Sequence, residues 1–90
     1  MLELKTTSKF RRDLKLIKKR GFDIELLKNV IDTLLRMEAL EEKHHDHALT
    51  GNYIGFRECH IKPDFLLIYA VDEGKLVLTA SRTGTHSDLF

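Results

Sequence analysis

Phe65-Leu-Leu-Ile-Tyr-Ala-Val71 is the stretch that decides the fold, because all of its residues are apolar. Successive side chains of a β-strand point to opposite faces, so this stretch is apolar on both faces. That pattern is typical of a central strand covered on each side. Turn-forming residues enclose it, with Lys62-Pro63-Asp64 before it and Asp72-Glu-Gly74 after it. The stretch therefore predicts the middle strand of a sheet.

Strand patterns stand on either side of this central strand. The run Phe56-Arg-Glu-Cys-His-Ile61 has a period of two, which places Glu58 and His60 on the same face. Lys75-Leu-Val-Leu-Thr-Ala-Ser81 is the next strand, and a tight polar loop over residues 83–88 follows it. Three consecutive strands joined by short turns predict an antiparallel meander.

The start of the chain predicts a short strand followed by an amphipathic, basic helix. Leu2-Glu-Leu-Lys5 alternates apolar and polar residues, as a half-buried strand does. Apolar residues then recur at helical spacing over about residues 7–20, and Gly21 is placed to end that helix. Any one of three hydroxyl residues could cap it: Thr6, Thr7 or Ser8.

A second helix follows, and the polar stretch after it predicts a loop. Asp23 can cap this helix, whose apolar pattern ends near residues 37–40. The short Gly21-Phe22 connection predicts that the two helices pack as an antiparallel pair. Residues 41–51 show no periodicity. The order β-α-α-β-β-β in one domain, residues 1–90, predicts an α+β fold with the helices on one face of an antiparallel sheet.

Composition places the chain among soluble globular proteins. Its 90 residues are 42% apolar and 32% charged, which allows one compact core. No apolar stretch of about eighteen residues could span a membrane, and the N-terminus lacks the apolar segment of a secretory signal. The lone Cys59 excludes an internal disulfide and is predicted to be a small buried residue. The expected location is the cytoplasm.

The net charge of +1 conceals a strong asymmetry along the chain. Residues 1–20 carry eight basic and two acidic residues, a formal charge of +6. Residues 21–90 carry seven basic and twelve acidic residues, a formal charge of −5. A basic segment of this kind suits a polyanion or an acidic partner protein. A solvated helix face explains the same charges equally well, so charge alone leaves these interpretations open.

Every histidine of the chain lies beyond position 43, beside charged or small polar residues. Imidazole is the side chain whose ordinary pKa allows it to donate or accept a proton near neutrality. Because a meander brings its strand ends together, several of these imidazoles can converge with carboxylates and a guanidinium. The predicted site comprises His47, Glu58, His60, Asp64, Arg82 and His86.

This set of side chains suits cleavage of RNA by its own 2′-hydroxyl. The reaction needs a base to deprotonate the 2′-hydroxyl, an acid to protonate the leaving 5′-oxygen, and a cation to stabilise the phosphorane. Two imidazoles, one neutral and one protonated, can fill both proton-transfer roles. No metal is required in principle.

Other interpretations of the histidines stay open on the residues alone. His44-His45-Asp46-His47 with His60 offers nitrogen and oxygen ligands that zinc or nickel accepts, although no spacing matches a structural zinc motif. Each histidine could equally be a surface or hydrogen-bonded structural residue. His44 and His45 in particular are predicted to be plain solvent-exposed loop residues. The terminal Phe90 could tuck into the core or stack on a base.

The second half of the chain resembles a known family. The motifs that carry the resemblance are His47-Ala-Leu-Thr-Gly51, Gly55-Phe-Arg-Glu-Cys-His-Ile-Lys-Pro-Asp64, Leu67-Ile-Tyr69 and Arg82-Thr-Gly-Thr-His-Ser-Asp-Leu-Phe90. They are similar to the YafQ branch of the RelE/ParE superfamily, the toxins of type II toxin–antitoxin systems that cut messenger RNA. The family also opens with a strand and two helices, so the resemblance covers essentially the whole chain. It implies an endoribonuclease that needs no cofactor or metal, acts on messenger RNA on or off the ribosome, inhibits translation and has a cognate antitoxin as partner.

The resemblance also implies roles for the site residues. His86 is the expected general acid, and Arg82 is expected to hold the scissile phosphate. The general base is left open among three residues: Glu58, His60 and Asp64. His47 is expected to contact phosphate or assist proton transfer, and Phe90 to pack on a base beside the cut. The alternative function is a non-catalytic module of the same fold that binds an antitoxin or nucleic acid.

Overall fold

Five strands and three helices make up the structure, a computed structural model that describes residues 1–90. The strands are β1 (Glu3–Thr6), β2 (His47–Ala48), β3 (Arg57–Lys62), β4 (Phe65–Asp72) and β5 (Val77–Gly84). The helices are α1 (Ser8–Lys19), α2 (Ile24–Leu35) and α3 (His86–Leu89), and single 3₁₀ turns cover Glu42–His44 and Gly51–Tyr53. The predicted α+β class, in which one strand and two helices precede the other strands, is confirmed.

Strand β4 lies at the centre of the sheet, as its two apolar faces predict. The strand order is β1-β5-β4-β3-β2. Leu67 and Tyr69 of β4 belong to a large core against α1 and α2. Leu66 and Ile68 point to the opposite face, where they form a small apolar cluster with Leu89 of α3. The helices therefore cover one face of β4, and the C-terminal turn helps to cover the other.

Strand β1 corrects the prediction of a wholly antiparallel sheet. It pairs with β5 in parallel, with Glu3 opposite Val77 and Thr6 opposite Ala80, whereas the other pairs are antiparallel. A parallel pair needs a long connection between its strands, and here the connection contains α1, α2 and most of the sheet. Periodicity predicts that a strand exists but carries no information on the direction in which an edge strand pairs.

Helices α1 and α2 begin and end at their sequence signals. Among the candidate caps of α1, Thr7 accepts the backbone N–H of Phe10, and Asp23 accepts that of Glu25 at the start of α2. Gly21 follows α1 with φ +83°, a conformation that favours glycine. Helix α1 packs against β5 and α2 against β3. None of the helices is both long and apolar enough to cross a membrane.

Two segments that the sequence predicts as loops contain regular structure. The stretch 41–51 includes a 3₁₀ turn and strand β2, which pairs with β3 and is too short for a period to show. Strand β5 extends to Gly84, beyond its predicted end at Ser81. His86 lies in α3 rather than in a loop, because Thr85 and Asp88 form a capping box around that turn.

Thr7 fastens α1 to the sheet, because its hydroxyl caps the helix and also donates to the Ser81 carbonyl at 2.7 Å. We expect Thr7→Ala to lower the free energy of unfolding by about 0.5–2 kcal/mol, the range for loss of an N-cap. Thr50→Ala is the matched control, because Thr50 precedes a 3₁₀ turn without a side-chain cap. Urea unfolding followed by circular dichroism measures both variants, and equal stabilities would contradict the prediction.

Candidate active site

The register of the sheet places site residues in two rows on the face opposite α1 and α2. The first row crosses β2, β3, β4 and β5 through His47, Glu58, Ile68 and Arg82. The second row crosses β3, β4 and β5 through His60, Leu66 and Gly84. Paired residues of neighbouring strands point to the same face. The imidazole, carboxylate and guanidinium groups therefore meet around an apolar floor formed by Leu66 and Ile68.

His86 is held by Asp64, which enters from the turn between β3 and β4. The backbone N–H and the ring Nδ1 of His86 both donate to Asp64 Oδ1, at 2.9 and 2.6 Å. These two hydrogen bonds hold the pKa of Asp64 below its usual value. Asp64 is thus an ionised carboxylate that binds Nδ1–H, which leaves Nε2 of His86 free to exchange a proton.

Glu58 is the buried carboxylate of the site and lies between two imidazoles. Its Oε1 accepts Nε2–H of His60 at 3.2 Å and lies 3.6 Å from Nε2 of His47. His47 in turn donates from Nδ1 to the backbone carbonyl of His45 at 2.6 Å, which determines its tautomer when it is neutral. Neutral His60 likewise carries its proton on Nε2, so the lone pair on its Nδ1 is available.

His60 lies at the centre of the histidine cluster. Its ring centroid is 5.5 Å from that of His86, 5.6 Å from that of His45 and 6.4 Å from that of His47. His60 and His86, each held by its own carboxylate, therefore lie side by side. Such a pair can present a lone pair and an N–H group to the same bound molecule.

Arg82 is hydrogen-bonded to Asp13, a residue that the sequence did not point to as part of the site. The carboxylate of Asp13 in α1 accepts hydrogen bonds from Nε and Nη2 of Arg82, at 2.7 and 3.1 Å. It also accepts one from the backbone N–H of Thr83, at 3.2 Å. The hydrogen bond to Asp13 is the largest cause of the raised pKa of Arg82. Asp13 is the only acid between Lys5 and Arg20, and that isolation in a basic segment is the signal that could have singled it out.

The C-terminal aromatic residue stays at the surface and does not tuck into the core. Phe90 is 62% exposed, and its ring meets that of Tyr53 edge-on with centroids 5.6 Å apart. The Tyr53 hydroxyl donates to the Leu89 carbonyl at 3.4 Å. Tyr53, which the sequence interpretation also missed, therefore supports an exposed aromatic surface beside the histidines.

His44 is not the plain solvent-exposed residue that the sequence predicts. It is partly buried, and its Nδ1 donates to the backbone carbonyl of His60 at 2.7 Å, so it fastens the turn before β2 onto β3. His45 is exposed as predicted, but its ring lies edge-on against His60. The polar run before β2 thus forms one wall of the site.

Helix α3, which carries His86, is anchored by an ion pair to the end of α1. Arg20 donates to both carboxylate oxygens of Asp88, at 3.2 and 2.9 Å. The hydrogen bonds from Arg20 and Thr85 lower the pKa of Asp88 to about 2. Gly84, with φ +148°, leaves room for this carboxylate, because a Cβ there would lie 2.8 Å from Asp88 Oδ2.

Three site residues also have the geometry of metal ligands. One ligand atom each of Glu58, His60 and His86 lies within 4.8 Å of the other two. Of the ligands that the sequence suggests, the run His44–His47 and His60, this set contains only His60. Two imidazoles and a carboxylate are ligands that zinc and copper accept.

Comparison with known proteins gives matches in both sequence and structure. The chain matches a family described as bacterial toxin of type II toxin–antitoxin system, YafQ, over residues 2–90. It is 34% identical to the mRNA interferase toxin YafQ of Escherichia coli K12, over 98% of this chain and 95% of the relative. A metal-bound toxin from Helicobacter pylori has a TM-score of 0.93 and 44% identity, with full coverage of both chains. YafQ in the E. coli DinJ–YafQ complex has a TM-score of 0.90 and 33% identity, covering 100% of this chain and 99% of that one.

These matches run along nearly the whole chain, so they define a ribonuclease toxin domain. The chain belongs to the YafQ family of toxins of type II toxin–antitoxin systems. The family predicted from the motifs is confirmed, and with it the prediction of an enzyme of the endoribonuclease class.

Replacement of Asp13 tests whether it positions Arg82. We expect Asp13→Asn to lower kcat for RNA cleavage roughly 10- to 100-fold with a smaller change in KM, because the amide NH₂ cannot accept the second hydrogen bond. Loss of that bond to a charged group also lowers the free energy of unfolding by about 1–3 kcal/mol. Asp32→Asn is the control, because the Asp32 side chain in α2 forms no hydrogen bond or ion pair with the site. Equal kcat in the two folded variants would refute the role of Asp13.

The ion pair between Arg20 and Asp88 predicts a sensitivity to acid. Because the pKa of Asp88 in the folded protein is about 2, below its ordinary 3.8, the pair stabilises the fold above about pH 4 and loses this contribution as the pH falls toward 2. We expect Arg20→Ala to reduce the drop in melting temperature between about pH 5 and pH 2.5. Arg36→Ala, which removes an exposed ion pair with Glu38, serves as the control and leaves that drop unchanged. If the melting temperature of Arg20→Ala fell with pH as much as that of the wild type, the Arg20–Asp88 ion pair would not stabilise the fold.

Proposed function

We propose that this protein cleaves messenger RNA by attack of the RNA's own 2′-hydroxyl, with acid–base catalysis by its side chains and without a metal. The observation that carries the proposal is the pair of imidazoles His60 and His86. Their ring centroids lie 5.5 Å apart, and each ring is hydrogen-bonded to a separate carboxylate. Membership of the toxin family and identity to an mRNA interferase toxin support the substrate. Cleavage of messenger RNA in the cytoplasm inhibits translation.

His86 is the general acid of this mechanism. In its protonated form Nδ1–H stays bonded to Asp64, and Nε2–H donates to the 5′-oxygen as the bond between phosphorus and that oxygen breaks. Asp64 keeps its negative charge, because the hydrogen bonds from His86 hold its pKa below the usual value. Asp64 therefore orients His86 and is not the general base.

His60 is the general base, and Glu58 orients it. Neutral His60 donates Nε2–H to Glu58 and presents Nδ1 to the 2′-hydroxyl, whose proton it takes as the 2′-oxygen bonds to phosphorus. The Glu58 side chain is 6% exposed and that of His60 is 20% exposed, so the imidazole is the group within reach of RNA. The products are a 2′,3′-cyclic phosphate and a 5′-hydroxyl. His47 faces Glu58 from β2 and contacts the phosphate at the rim.

Arg82 and Phe90 hold the substrate on the other side of the site. Asp13 uses two of the five N–H donors of Arg82, so three remain for the scissile phosphate and the charge that develops on it. The exposed ring of Phe90, supported by Tyr53, stacks on a base beside the cut.

A cognate antitoxin is the natural partner of the protein. The E. coli relative forms a complex with DinJ. An antitoxin segment that is disordered when free can wrap the toxin and cover the histidines. Acidic residues of such a segment can bind the exposed basic side chains of α1, which are Arg12, Lys15, Lys18 and Lys19.

Metal binding is a second candidate property of the same site. The H. pylori relative is described as metal-bound, and Glu58, His60 and His86 offer three ligand atoms close together. A metal held there would take the lone pairs that the proton transfers need. It would therefore inhibit cleavage, and chelators would leave cleavage intact.

Substitution of each imidazole tests their assignment as acid and base. We expect His86→Ala and His60→Ala to lower kcat by roughly 10²- to 10⁴-fold with the fold intact. An RNA with sulfur in place of the scissile 5′-oxygen needs no acid, so it restores cleavage by His86→Ala. Added imidazole replaces a missing base and partly restores cleavage by His60→Ala. Single-turnover cleavage in excess EDTA measures all of these rates.

The controls separate this mechanism from its alternatives. His44→Ala leaves the proposed acid and base in place, so the sulfur substrate and imidazole should give it no specific advantage. Undiminished cleavage in both His60→Ala and His86→Ala would reject the assignment. Loss of wild-type cleavage in EDTA, with recovery on addition of zinc, would replace it with a metal-dependent mechanism. If the wild-type protein bound RNA without cleaving it, the alternative function, a non-catalytic binding module, would replace the proposal.

A further inference from the structure

A groove continues from the histidines along the β2 edge of the sheet. It has a volume of about 930 Å³, and its walls include His47 and His60. The rest of its lining consists of Lys43, His45 and Lys62 with the apolar Ile61 and Pro63. It is called the basic groove below. Helix α3 packs on β5, so the groove and the Phe90 surface lie on different sides of the central histidines.

The segment that forms the wall of the basic groove is held in place at several points. His44 donates to the His60 carbonyl at 2.7 Å, and His47 donates to the His45 carbonyl at 2.6 Å. Between them, Asp46 accepts the Tyr69 hydroxyl at 2.7 Å and Nε of Arg57 at 3.2 Å. The wall therefore has a definite shape before any ligand arrives, which lowers the entropic cost of binding.

His45 occupies a backbone conformation that is unfavourable for its side chain. Its φ and ψ are 46° and 44°, in the left-handed region that glycine tolerates and histidine adopts at a cost in free energy. The structure holds the exposed His45 ring edge-on against His60, with centroids 5.6 Å apart. Strain of this kind persists where surrounding contacts impose it, and it is concentrated at binding and catalytic sites.

The charge of the basic groove suits an anion. No carboxylate lines it, and its polar side chains are donors. The carboxylates that adjoin it have partners: Glu58 binds His60, and Asp64 binds His86. Glu41 lies 3.9 Å from Lys43 Nζ, a distance that leaves Lys43 able to donate to another group.

We propose that the basic groove is a subsite for the phosphate adjacent to the scissile one in a single RNA strand. The inference rests on the proposed function, because the general base His60 then marks the position of the cut and the groove beside it receives the next phosphate. Proteins that bind single strands combine a basic groove along the backbone with an aromatic platform for the bases. Here the two parts lie on either side of the acid and the base, so a strand would pass from the Phe90 surface over the histidines to Lys62.

Binding of RNA that cannot be cleaved tests the subsite apart from catalysis. The probe is a single-stranded tetranucleotide with 2′-O-methyl groups, which lacks the attacking hydroxyl. For Lys62→Gln we expect weaker binding and a slope of log K against log salt concentration that is smaller by about 0.7, the value for loss of one phosphate contact on a single strand. Lys75→Gln in the β4–β5 turn is the matched control and keeps both values.

A second variant separates the ring of His45 from its backbone. Glycine tolerates the left-handed conformation, so His45→Gly relieves strain and is expected to keep or raise Tm while it weakens binding of the tetranucleotide. Unchanged affinity in both His45→Gly and Lys62→Gln would overturn the proposal. The proposal would also be overturned if these two variants bound the antitoxin more weakly but bound RNA as the wild type does, because the groove would then belong to the antitoxin interface.

Neutral linkages in the RNA locate the phosphate that the groove binds. Each phosphate next to the scissile position is replaced in turn by a methylphosphonate. In the wild type, we expect one of these replacements to weaken binding, and in Lys62→Gln the same replacement should have no further effect. Additive losses would overturn the proposal. A failure of the acid and base assignments would appear in cleavage rates and leave this binding cycle unaffected, so the two failures are distinguishable.

Discussion

The burial of β4 on both faces is the constraint on which the rest of the structure depends. Helices α1 and α2 cover the face that carries Leu67 and Tyr69. The other face has only a small apolar cluster around Leu66 and Ile68, closed by the C-terminal turn. The neighbouring positions on β3 and β5 are consequently free to carry polar groups. The register then brings a carboxylate, an imidazole and a guanidinium together without any need for a long loop.

The two carboxylates of the site perform similar tasks in different surroundings. The Asp64 side chain is 64% exposed and binds the backbone and the ring of His86, so it fixes both the helical turn and the tautomer. Glu58 is 6% exposed and lies under His60, where protein side chains replace the water around it. His86 is therefore presented at the rim and His60 further inside, a separation that suits the proposed acid at the leaving 5′-oxygen and the proposed base at the 2′-hydroxyl.

Helix α1 supports the site although it lies on the other side of the sheet. Asp13 reaches past the end of β1 to the free edge of β5 and binds Arg82 and the Thr83 N–H. Arg20 at the end of α1 binds Asp88 and holds α3. The same helix thus positions the guanidinium of Arg82 and the turn that carries His86, the proposed general acid. Any partner that shifts α1 would disturb both at once.

The sequence by itself determined the long helices and strands and the candidate chemistry, because both depend on local pattern, whereas the short elements β2 and α3 show no such pattern. The apolar run 65–71 specified the central strand, and the two-residue spacing of Glu58 and His60 put them on one face. Only the tertiary structure decided that Asp64 binds His86 and that β1 pairs in parallel with β5, since both join residues far apart along the chain. The contact between Asp13 and Arg82 joins residues 69 positions apart, and such pairs exist only once helices and sheet have packed.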